Sequence, residues 1–143
     1  MKRFVLDTNT LLSALLWSGN ESALVKHFIE GRALHYTSQE ILGEVKNVLD
    51  RQKMRRYLEQ ADISSSFAIQ RISSFSIILD VDPLPKTIVI KDPSDDKFLA
   101  CAMKAKAGLI VSGDKHLLSI KKYKDIEIVT TTAALAHLGS ERI

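Results

Sequence analysis

The chain is 143 residues long, the length of one ordinary domain, and its 45% apolar and 26% charged residues exclude disordered and fibrous classes. No apolar run approaches the ~18 residues of a bilayer span and no secretory leader follows Lys2 and Arg3, so a single domain over 1–143 in the reducing cytoplasm is expected. The net charge of +3 and pI near 9.0 are modest, and the one cysteine, Cys101 in an alanine-rich apolar stretch, excludes a disulfide framework or a cysteine metal site.

RFVLD (3–7) has the pattern of a short buried strand that ends on an acid. Leu11, Leu12, Leu15 and Leu16 follow at helical spacing, and Ser18-Gly19 ends that helix. A second helix is predicted over 21–30 and a strand over 34–37. Thr37 with Glu40 three residues on has the pattern of a capping box, and Ile41, Leu42, Val45, Val48 and Leu49 then form an amphipathic stripe. Helices near 52–60 and 62–75 lead to a strand at 76–81, and the two prolines of VDPLPK mark a loop. The segment DPSDDKFLACAMKAKAG predicts a helix capped by Asp92 or Ser94 and closed by Gly108. Strands at 109–112 and 126–129, a turn and short helix between them, and a helix over 131–138 complete the chain.

Alternating strands and helices imply a three-layer α/β sandwich, with about five parallel strands covered by helices on both faces. In such sheets ligands bind at the carboxyl ends of the strands. Asp7 ends the first strand and Asp114 follows the fourth, so both belong on that edge. Asp92, Asp95 and Asp96 belong there too, at the amino end of the helix that runs back toward the fourth strand, where the helix dipole favours anions. Glu44 falls at the border of its helix's apolar stripe. Taken singly, these acids read as caps, turn residues or solvated surface. Together they form an all-oxygen cluster suited to a hard divalent cation, Mg²⁺ or Mn²⁺, and to metal-assisted phosphodiester hydrolysis. The basic groups RQKMRR (51–56) and KHLLSIKKYK (115–124) are compatible with a phosphate-backbone ligand.

VLDTNTLLSALL, TSQEILGEVKNVL, DPSDDKFLACA and IVSGDKHLL, in that order, resemble the PIN-domain nucleases, in particular the VapC-like toxins of toxin–antitoxin pairs. The likeness covers nearly the whole chain. It implies acidic ligands at Asp7, Glu44, Asp96 and Asp114, with Asp92 and Asp95 as further candidates, because helical phase does not choose between Asp95 and Asp96. Ser112 falls at the family's Ser/Thr position, and Asn9 at a polar position expected to orient Asp7. The resemblance further implies an endoribonuclease that uses Mg²⁺ or Mn²⁺, a homodimer, and a small antitoxin partner that blocks the cleft. Lys115, His116, Arg55 and Arg56 are the candidates for holding the RNA backbone.

Other readings fit the residues less well. A phosphatase with an aspartate nucleophile needs a second aspartate where Asn9 stands, and a receiver-type phosphoacceptor needs an acidic pair beside the first strand. An RNA-processing PIN nuclease without an antitoxin, or a PIN module that binds without cutting, shares the same motifs.

Overall fold

In a computed structural model that describes residues 1–89 and 92–139, Phe4, Val5 and Leu6 lie wholly inside, on strand β1 (Arg3–Leu6). Helices α1 (Thr8–Leu16) and α2 (Asn20–Ile29) lead to β2 (Leu34–Ser38), and α3 (Gln39–Leu49), α4 (Arg55–Ala61) and α5 (Ser65–Phe75) lead to β3 (Ser76–Leu79). Then come α6 (Asp96–Ala105), β4 (Leu109–Val111), α7 (Lys115–Leu118), β5 (Lys122–Tyr123), β6 (Ile126–Val129) and α8 (Thr131–Gly139).

Among the described residues the sheet has six strands in the order β3-β2-β1-β4-β6-β5. All neighbouring pairs are parallel except β5 with β6. Five parallel strands agree with the sequence, and the sixth, a two-residue antiparallel edge, is added to them. Helices flank the sheet in the three-layer α/β arrangement, with α6 packed across β1, β2 and β4. The buried face of α6 is Phe98, Leu99, Ala100, Cys101, Ala102 and Ala105, mostly small residues that let helix and sheet approach closely. Cys101 is one of them, and burial pushes its thiol up to about 12, so it is an inert core group.

Three boundaries differ from expectation. The first helix starts at Thr8, because Asp7 caps it, and α3 is capped by Ser38, whose Oγ accepts from the Ile41 N–H at 3.2 Å. The cap is Ser38 and not Thr37, so the capping box expected at Thr37 and Glu40 does not form. The 62–75 helix begins only at Ser65, since Asp62 adopts the left-handed conformation (φ 56°) that ends α4.

The connectivity places the site. From β1 the chain moves to β2 on one side, and it later returns past β1 to β4 on the other. The two crossovers part at the carboxyl ends of β1 and β4, which opens a crevice there.

Candidate metal centre

Asp7 is the first residue beyond β1, and its N–H donates to the Val111 carbonyl at 3.1 Å, extending the β1–β4 ladder by one bond. Its Oδ1 accepts from the Thr10 N–H at 2.9 Å, capping α1, and its Oδ2 accepts from Ser112 Oγ at 2.5 Å. Ser112 Oγ in turn accepts from the Asp114 N–H at 2.9 Å. Asp114 caps α7, its Oδ1 accepting from the His116 N–H at 2.6 Å. One serine hydroxyl therefore ties the acid after β1 to the acid after β4.

Asp95 closes a short 3-10 turn (Pro93–Asp95) that runs directly into α6. It is only 8% exposed, and its Oδ2 is a buried oxygen with no hydrogen-bond partner among the described residues. Burial, and then the charges of Asp92, Asp114 and Asp7, push its carboxyl up to about 7 against the pull of Lys97. The Asp7 carboxyl is raised as well, chiefly by burial and slightly by Asp114, against the hydrogen bonds from Ser112 and Thr10. Groups that raise one another in this way are short of positive charge. Asp92, Asp114 and His116 each offer a ligand atom within 4.8 Å of the others.

Asp96 is a different case. Its Oδ1 accepts from the Val89 N–H at 2.7 Å and its Oδ2 from the Ile88 N–H at 3.0 Å, so both oxygens anchor the loop ahead of the turn. Of the two neighbours, it is Asp95 that shares its surroundings with the other aspartates. Asn9 is exposed and lines a polar hollow of about 260 Å³ with Ser13, Asn20, Ser112 and Thr131, while Thr10 and Ser112 hold Asp7.

Glu44 is half-buried, as its place on the stripe implied. Its Oε1 accepts from Thr8 Oγ1 at 2.5 Å and its Oε2 from Lys97 Nζ at 2.5 Å. Sequence reasoning missed both partners, although Thr8 adjoins Asp7 and Lys97 follows the acids directly. Lys115 and His116 lie at the rim beside Asp114. Arg55 and Arg56 do not. They line a separate groove of about 700 Å³ with Lys53 and Tyr57, and Tyr57 packs on Trp17 at the end of α1 opposite Asp7, roughly 14 Å along that helix.

The donor set is carboxylate oxygen with one imidazole, which suits Mg²⁺ or Mn²⁺ better than softer ions. The unpartnered Asp95 oxygen is the atom that such an ion would satisfy, so the residues fit a divalent cation.

The family profile described as PIN domain matches residues 3–116 of this chain. Two solved structures share the fold. One is PAE2754 from Pyrobaculum aerophilum, with a TM-score of 0.57 and 16% identity over 97% of this chain and 98% of that one. The other is VapBC2 from Rickettsia felis bound to a DNA fragment from their promoter, with a TM-score of 0.60 and 12% identity over 88% of this chain and 96% of that one. Comparison with curated proteins gives no match.

Proposed function

The chain belongs to the PIN-domain family, and on that premise we propose that it is a Mg²⁺- or Mn²⁺-dependent endoribonuclease acting as the toxin of a cytoplasmic toxin–antitoxin pair. The observation that carries this reading is the buried, unpartnered Asp95 Oδ2 in the company of Asp7, Asp92 and Asp114. Asp7, Asp95 and Asp114 would hold the ion, with Asp92 and His116 within reach beside Asp114. A bound divalent ion supplies Lewis acidity to the scissile phosphate and makes a coordinated water more acidic.

The chain's own residues prepare that chemistry. Ser112 donates to Asp7 and accepts from the Asp114 N–H, which fixes the two acids relative to each other without compensating their charge. The Thr10 N–H, at the amino end of α1, holds the other Asp7 oxygen. Lys115 and His116 stand where an RNA backbone would pass the rim, and phosphate contacts of this kind position a strand without reading its sequence. With the fold likeness to VapBC2 in view, we extend the reading to a small protein partner that covers the acidic cleft with a basic side chain, and to a homodimer.

RNA cleavage by the purified protein tests the enzyme. Wild type is expected to cut with Mn²⁺ and not with EDTA, and Asp95→Asn is expected to lose at least ~100-fold, the order of loss typical when one stabilising group is removed from an active site. Cleavage that persists in EDTA, or in Asp95→Asn, overturns the reading. Growth tests the biological role. Expression without a partner is expected to arrest cells, and Asp7→Asn to relieve the arrest. Equal growth with both proteins would end the toxin reading and leave the nuclease standing.

A further inference from the structure

Four aspartates share one electrostatic neighbourhood, and Lys97 acts on it too. The charges acting on Asp95 are those of Asp92, Asp114, Asp7 and Lys97, and that on Asp7 is Asp114. Glu44 instead has both carboxylate oxygens occupied, one by Thr8 Oγ1 and the other by Lys97 Nζ. The lysine is firmly seated. Its side chain is 7% exposed, its ammonium also donates to the Ser94 carbonyl, and it lies 5.3 Å from the centroid of the Phe98 ring. A carboxylate and a backbone carbonyl thus receive its N–H groups, as a side chain so far withdrawn from water requires.

The cleft thus contains a fixed positive charge between Glu44 on α3 and the 92–95 turn, and an orphaned oxygen on Asp95 that this charge does not satisfy. In two-metal nuclease sites a second ion sits about 3.5–4 Å from the first and draws on the remaining carboxylates. Here the carboxylate left for that purpose is Glu44, and its Oε2 already accepts from an ammonium while its Oε1 accepts from Thr8. A second divalent ion would have to displace Lys97 or lie against it.

We propose that Lys97 is a resident counter-cation that stands in for a second metal ion: the cleft takes one divalent ion among Asp7, Asp92, Asp95 and Asp114, and Glu44 holds Lys97 in place without ligating that ion. This rests on the metal-dependent reading above. Lys97 and Glu44 are positioning residues in this arrangement, and the number of ions bound, rather than activity, reports their role.

Calorimetric titration of the full chain with Mn²⁺, with free ion followed by electron paramagnetic resonance, tests it. Wild type is expected to bind one ion per chain, and Lys97→Met, which keeps the stem and removes the charge, to bind two. Lys97→Arg is expected to return the count to one. Glu44→Gln, which does not depend on Lys97→Met folding, is expected to keep one ion with affinity within about threefold of wild type, whereas loss of an authentic ligand costs about 10- to 100-fold or more. Two ions on wild type, one ion on Lys97→Met at unchanged affinity, or lost binding in Glu44→Gln each overturn the inference and leave the metal-dependent reading intact. No ion on wild type overturns both.

Discussion

Asp96 directs both of its oxygens at the backbone N–H groups of Ile88 and Val89, so Asp96→Asn, which keeps one good acceptor, is expected to lower stability by about 1–2 kcal/mol. Its Mn²⁺ affinity should stay near that of wild type. Asp95→Asn is expected to behave the opposite way, losing the ion while the metal-free fold holds or gains stability, because a buried anion has been removed from three others. Chemical denaturation alongside Mn²⁺ titration separates the two, and equal loss of binding in both variants would refute the division of labour. The sequence could not make this distinction. Which of two adjacent acids turns inward depends on how the Pro93–Asp95 turn feeds α6, a matter of backbone path rather than helical phase. Asp7 and Asp114 were legible because each follows an apolar strand that ends abruptly. Lys97 was not, since a lysine after acids reads as a solvated face, and its burial depends on Glu44, 53 residues away.

Strands β1, β2 and β3 are held together partly by one imidazole. The register of β1 with β2 covers Arg3 with Leu34 and Phe4 with His35, and beyond it the Leu6 N–H donates to His35 Nε2 at 3.4 Å. Since Nε2 accepts, Nδ1 carries the proton and donates to Ser76 Oγ on β3 at 2.7 Å, and Ser76 Oγ donates to the Ile72 carbonyl at 2.5 Å. A second proton would face a donor, and burial lowers the His35 pKa to about 3. The unfolded chain binds a proton near pH 6.5 and the folded one does not until about 3. The fold therefore loses stability as pH falls through that window, by about 1.4 kcal/mol per unit from this residue. NMR of the ring nitrogens should show His35 neutral at pH 5, and titration near 6.5 would refute the arrangement. The elements themselves were largely legible, because β1 and β4 carry buried apolar runs and α3 is strongly amphipathic. Strand β5 was not, because two residues carry no period and their pairing is dictated by β6. The cap of α3 was misplaced by one residue because Thr37 and Ser38 are adjacent and both of cap-forming type.

At the scale of the molecule, the site is a product of topology. Its acids come from residues 7, 92–95 and 114, which the pairing of β1 with β4 and the packing of α6 across both strands bring together. An ion bound there favours the folded state alone, so saturating Mn²⁺ should raise the melting temperature, by about 5 °C or more at 100 times Kd, and should leave Asp95→Asn unmoved. A thermal scan with and without the ion checks this, and an equal rise in both proteins would place the ion elsewhere. The same topology bears on how the protein comes into being. The hydrogen bond from Ser112 to Asp7 spans 105 positions, so a chain still on the ribosome displays its first acid long before the partner that completes the cleft exists. Whatever the finished cleft can do, a nascent or prematurely terminated chain lacking the fourth strand cannot.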